Sequence, residues 1–136
     1  MPHINNRIST GQVSVRCFFF AKGGDYVNVT MSCTGSRLHI RFSGELDHHS
    51  ASQARARIDR ALDDYMPREC VVDMSGLEFM DSSGIALILC VVRRMRSCAG
   101  AARVVAPPGR PPRKVIDAAG ISRVVRIDDS AEGGEN

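Results

Sequence analysis

The chain has 136 residues, 43% hydrophobic and 24% charged, enough for one domain with its own core and ordinary for a soluble globular protein. A formal charge of +3, scattered along the chain, with two Tyr, five Phe and no Trp, argues against nucleic acid as a partner. Five cysteines, an odd number without a CxxC pair, read as reduced thiols, and no apolar run is long enough for a membrane span or a signal peptide, so the expectation is a cytoplasmic protein without membrane insertion.

Residues 1–24 show no sustained period, and Lys22-Gly23-Gly24 has the composition of a linker, so this stretch is read as a mobile N-terminal extension. A domain is expected over 25–130, followed by a frayed tail at 131–136. Tyr26, Val27, Val29 and Met31 predict a strand, Ser32 to Ser36 a turn, and the alternation in Leu38-His39-Ile40-Arg41-Phe42 a second strand with one buried face. Ser43 to His49 reads as a loop at the end of that hairpin. Ser50 and Gln53 have capping-box spacing, and the helix they open carries Ala54, Ile58, Ala61, Leu62 and Tyr65 on one face before Pro67 ends it.

Cys70-Val71-Val72-Asp73-Met74 predicts a buried strand. After it, Phe79-Met80-Asp81-Ser82-Ser83-Gly84 leads into an apolar helix from Ser83 to about Ala99, with Ile85, Ile88 and Leu89 inward, Arg93, Arg94 and Arg96 toward its C-terminus and Gly100 as its stop. Arg103 to Ala106 predicts an internal strand and Pro107 to Pro112 a loop. Arg113 to Ala119 predicts a short helix with Val115, Ile116 and Ala119 inward, and Val124 to Ile127 a last strand. The order ββαβαβαβ implies an α/β fold with a mostly parallel sheet and an antiparallel hairpin at one edge.

The chemistry concentrates at the strand-to-helix turn of Asp81, Ser82 and Ser83. Two hydroxyls and a carboxylate sit beside the free N–H groups of a helix N-terminus, where a phosphate would be held by those donors and by the helix dipole. The same residues also suit a plain N-cap, and the two roles can coexist. Asp47 reads either as a partner or loop-ordering contact or as a solvated carboxylate. His48 and His49 diverge as neighbours and have no third ligand at a useful spacing, so no metal is expected, and the three arginines suit a solvated helix C-terminus. The nucleophile-elbow glycine is missing before either serine, and there is no Walker loop or GxGxxG, so neither catalysis nor a cofactor is expected.

Gly44-Glu45-Leu46-Asp47-His48-His49, then Leu77 to Gly84, then Asp117-Ala118-Ala119-Gly120-Ile121 closely resemble the bacterial anti-sigma factor antagonists, which are single STAS domains. The resemblance runs from about Val27 to Ile127. It implies a curved mixed sheet of four or five strands with helices largely on one face, and a phosphoacceptor at Ser82. Glu45, Asp47, Asp81, Ser83 and Gly84 are the residues it places at a partner surface. It further implies a protein that binds an ATPase-like anti-sigma factor serine kinase when unphosphorylated and frees a sigma factor. The kinase switches it off at Ser82, a serine phosphatase resets it, and the chain itself is a monomer or weak dimer. A different class remains open: a STAS scaffold subunit of a membrane-associated lipid-transport or stress-signalling complex, without phospho-control.

Overall fold

Alternating apolar residues on consecutive strands put one face of a sheet against the helices that connect them, and this arrangement dictates the architecture. The computed structural model describes residues 7–8, 13–22 and 25–131. Seven strands lie side by side in chain order: β1 (Arg7–Ile8), β2 (Val13–Lys22), β3 (Asp25–Thr34), β4 (Arg37–Leu46), β5 (Glu69–Met80), β6 (Ala101–Val105) and β7 (Arg126–Asp128). Pairing is antiparallel from β1 to β4 and parallel from β4 to β7. The helices α1 (His48–Tyr65), α2 (Ser82–Ser97) and α3 (Pro111–Ala119) make the three parallel crossovers. Each crossover steps the same way across the sheet, so right-handed connections put all three helices on one face.

Strands β3 to β7 and the three helices form the expected mixed five-stranded unit. Residues 13–22 depart from the expected mobile extension, because they form β2 and pair with β3 from Ser14↔Cys33 to Lys22↔Asp25. The consecutive Phe18-Phe19-Phe20 hides a period of two in the sequence, whereas the backbone of β3 offers a full antiparallel partner. Of the linker read at 22–24, Lys22 is the last residue of β2 and the rest lies outside the described residues, as does the tail beyond Ala131.

The core fills the space between sheet and helices. Leu38, Ile40, Phe42 and Leu46 of β4, with Cys70, Val72 and Met74 of β5, face Ala54, Ile58, Ala61 and Leu62 of α1 and Leu87, Ile88, Val91 and Met95 of α2. Burying a side chain the size of Leu or Ile contributes about 2 kcal/mol. Ile85 and Leu89, expected inward, are only half-buried, and Ala119 of α3 is exposed while Ile116 carries the contact. Burial pushes the Cys70 thiol up to about 12, so it packs as a small apolar group, and Cys33, Cys70, Cys90 and Cys98 are all free thiols. No helix among the described residues is long and apolar enough to cross a membrane.

The opposite face of the sheet carries an ion-pair ladder. Arg37 of β4 meets Glu69 of β5 at 2.7 Å, Glu69 meets Arg103 of β6 at 3.3 Å, Arg103 meets Asp128 of β7 at 2.7 Å, and Arg126 closes on Asp128 at 2.8 Å. The Arg103 side chain is only 4% exposed, and its Nη2 is buried without a hydrogen-bond partner among the described residues. Burial is the largest influence on both Glu69 and Asp128 and raises their pKa values. The bonds and charges of Arg37 and Arg103 around Glu69, and of Arg126 and Arg103 around Asp128, outweigh it and hold both carboxyls below their ordinary values. His39, amid Arg37, Arg41 and Arg103, is pushed down by burial and then by those charges.

A buried cation shared by two carboxylates makes Arg103 costly to remove. Arg103→Ala is expected to lower the unfolding free energy by about 3–5 kcal/mol in urea titrations at neutral pH. Because the folded-state values of Glu69 and Asp128 are depressed from 4.5 and 3.8, the ladder's contribution is present above those values and is lost as pH falls through the lower, folded ones. Stability measured against pH in that acid range should therefore fall more steeply for the native protein than for Arg103→Ala. Equal slopes would show that the ladder does not depend on Arg103.

Candidate functional site

Two helices begin at the same place because two parallel strands end together. The register of β4 and β5 finishes at Leu46↔Met80, and the Asp81 N–H donates to the Leu46 carbonyl at 3.3 Å. The next residue of each strand, Asp47 and Asp81, is the N-cap of α1 and α2 respectively. Both have the extended backbone a cap requires. The Ser50 N–H donates to Asp47 Oδ1 at 2.9 Å and the Ser83 N–H to Asp81 Oδ1 at 2.8 Å.

This corrects the predicted start of the first helix. Ser50 is not the cap but the third helical residue, and it returns the bond: the Asp47 N–H donates to Ser50 Oγ at 3.0 Å, completing a reciprocal capping box. Asp47 is therefore a structural cap rather than a solvated loop carboxylate. The Ser50 backbone N–H is the largest influence on it and holds its carboxyl below the usual range. His48 and His49 become the first two helical residues, both exposed. Among the described residues no cluster of three His, Cys, Asp or Glu is poised for a metal ion.

Ser82 is the first residue of α2, exposed, and its hydroxyl makes no hydrogen bond among the described residues. Ser83 is half-buried, with Oγ 3.5 Å from Nδ1 of His48 across the two helix starts. Asp47, Asp81, Ser82 and Ser83 thus share one end of the sheet. Glu45 pairs in register with Phe79 two residues before the caps, and Phe79 is 45% exposed, an apolar side chain at the rim of this surface. Gly84, expected to face a partner, is instead buried against the chain itself. A Cβ there would lie 2.5 Å from both Cγ and Sδ of Met80, so glycine lets α2 seat on the end of β5.

Several supporting residues gave no signal in the sequence. Arg94 of α2, read as a solvated C-terminal cation, bonds Asp59 at 3.2 Å and Asp63 at 2.6 Å on α1 and ties the two helices together. Beyond Asp73, β5 outruns β6, leaving backbone acceptors at a sheet edge. Arg110, carried by the proline-rich loop, donates to the carbonyls of Ser75 and Leu77 at 3.1 and 3.2 Å and covers that edge. The run of prolines marked a loop, but nothing in it named the strand that the loop would serve.

A mixed sheet whose parallel strands β4 and β5 end at two capped helix starts, with helices as the crossovers, defines a domain of the α/β class. Residues 28–133 match the model of the STAS domain, and the chain belongs to the STAS-domain family. It is 38% identical over 82 residues, 60% of this chain and 69% of the relative, to an anti-sigma F factor antagonist of Lysinibacillus sphaericus. Its structure is similar to that of the anti-sigma factor antagonist SpoIIAA in its unphosphorylated form, with a TM-score of 0.65 at 29% identity over 77% of this chain and 90% of that one. It is also similar to the Bacillus cell fate determinant SpoIIAA in the phosphorylated form, with a TM-score of 0.57 at 31% identity over 77% and 94% of the two chains. The motif resemblance to bacterial anti-sigma factor antagonists is borne out by these matches.

The tight seat of α2 on β5 yields a direct test. Gly84→Ala should cost about 1–3 kcal/mol in urea unfolding, since Met80 is 3% exposed and has little room to move. Combining it with Met80→Ala should give a double variant more stable than the sum of the two losses by about 0.5 kcal/mol or more. Strict additivity would mean that the two side chains do not compete for the same space.

Proposed function

We propose that this protein is an anti-sigma factor antagonist that binds an ATP-using anti-sigma factor serine kinase when unphosphorylated, so releasing a sigma factor, and lets go once Ser82 carries phosphate. The observation that carries this reading is the position of Ser82. It is exposed at the first turn of α2 with its hydroxyl unengaged, while Asp47 and Asp81 beside it are tied to backbone N–H groups.

In the transfer, Ser82 Oγ attacks the γ-phosphorus of the ATP held by the kinase. An O–P bond forms, the bond from that phosphorus to the β–γ bridging oxygen breaks, ADP leaves, and the serine proton passes to a base of the kinase. This chain supplies the acceptor and the docking surface and performs no catalysis of its own. Phosphorylation adds about 1.5 to 2 negative charges beside Asp81. Two unit charges ~5 Å apart at an effective dielectric of ~20 repel by roughly 3 kcal/mol, and a partner surface shaped for a neutral hydroxyl meets a comparable penalty. No change of fold is needed, because the first turn of α2 tolerates an anion. A serine phosphatase restores the binding form by hydrolysing the phosphate monoester.

The test is phosphorylation with ATP and the candidate anti-sigma kinases of the host, one at a time, with the site mapped by mass spectrometry. Phosphate is expected on Ser82 and absent from Ser82→Ala. Ser82→Asp is expected to stay folded yet bind its kinase on the order of a hundredfold more weakly. Unchanged affinity in a folded Ser82→Asp would sink the switch, and stable binding without phosphoryl transfer would point to a scaffold of a membrane-associated assembly instead.

A further inference from the structure

Between the N-terminal halves of α1 and α2 lies a cleft of about 230 Å³. His48, Ser52 and Arg55 of α1 and Ser83 of α2 line it over an apolar floor that includes Ala51 and Leu87. No carboxylate lines it. Arg55 is exposed and, among the described residues, held by a long 3.9 Å pair with Asp59 one turn on, so its guanidinium has donors to spare. The two acids nearest in the chain, Asp47 and Asp81, already have an oxygen accepting the backbone N–H of Ser50 and Ser83. The cleft therefore offers a planar cation, an imidazole and two hydroxyls, all of which can donate hydrogen bonds to a single oxyanion.

We infer that this cleft is the seat of a phosphate monoester: the phosphoryl group carried by Ser82, held within the molecule by Arg55 and His48. The inference rests on the reading of Ser82 as the phosphoacceptor and says where the group goes after transfer. Ser82 lies one turn before Ala86, which lines the cleft, so the two are neighbours on the same face of α2. The like charge of Asp81 repels the phosphate, while Arg55 on α1 attracts it. Guanidinium bonds to a phosphate dianion are charge-assisted and geometrically selective, and an imidazole N–H can add a further donor. A phosphate seated there does two things at once. It adds negative charge to the docking surface, and it occupies Arg55 and His48, withdrawing them from any acidic segment of a partner. The cleft thus couples modification to the loss of a cationic contact without moving a helix.

The experiment installs phosphoserine at position 82 during translation, which makes it independent of any kinase. Titration of the phosphate by phosphorus NMR is compared between the otherwise native protein, Arg55→Ala, Arg55→Lys and His48→Ala. Arg93→Ala serves as a control at an exposed arginine of α2 outside the cleft. The second ionisation of the phosphate is expected to lie lower in the native protein than in Arg55→Ala by about half a unit or more, roughly threefold in proton affinity. His48→Ala should give a smaller rise, Arg55→Lys partial recovery, and Arg93→Ala no change. The Arg55 Nε–H resonance should also move on going from serine to phosphoserine. Identical titrations in the native protein, Arg55→Ala and His48→Ala would overturn the cleft as the seat. Failure of every kinase to modify Ser82 would instead overturn the acceptor reading and leave this result standing on its own.

Discussion

The parallel pairing of β4 with β5 is the constraint on which the site depends. Because the two strands end in register at Leu46 and Met80, the residues that follow must turn at the same height, and both turns are made by an aspartate that caps a helix. Two helix starts, two cap carboxylates and the exposed Ser82 are thereby collected at the carboxyl end of adjacent strands, where ligand and partner sites of open α/β sheets recur. A slip of this register would separate His48 from Ser83, now 3.5 Å apart, and open the cleft between the helices. The caps matter as much to chemistry as to stability. One oxygen of each carboxylate is engaged by a backbone N–H, while the hydroxyl of Ser82, next to Asp81, makes no hydrogen bond among the described residues.

The rest of the molecule keeps this end rigid. Helix α2 is seated on β5 through the absent side chain of Gly84 and is bound to α1 by Arg94 reaching Asp59 and Asp63. Arg110 covers the part of β5 that has no β6 beside it. On the far face, the ladder from Arg37 to Arg126 links β4, β5, β6 and β7. One face of the sheet is thus held by apolar packing and the other by ion pairs.

Much of this was legible in the residues. The alternation of Leu38, Ile40 and Phe42, the β-branched run at 70–74 and the periodic apolar positions of the helix that follows are local signals, and they gave the α/β class and the order of the elements. The turn of Asp81, Ser82 and Ser83 was legible because strand, cap and helix follow one another without a gap. The start of α1 was misread because Ser50 and Gln53 mimic a capping box. Asp47 won the cap because its backbone is extended at the end of β4 and its carboxylate reaches the Ser50 N–H. Strand β2 was missed because three consecutive phenylalanines carry no period.

By itself, then, the sequence determined the strands and helices from residue 25 onward, to within a few residues at their ends, and which serine stands at a strand-to-helix turn, since both follow from patterns within a dozen residues. Only the tertiary structure decided that His48 and Arg55 face Ser83, that Arg94 and Arg110 serve elements some thirty residues away, and that Gly84 is a packing residue rather than a contact. Those relations depend on the register between strands and on where crossovers return the chain. Register is set by the whole buried face acting together, and no single stretch of sequence carries it.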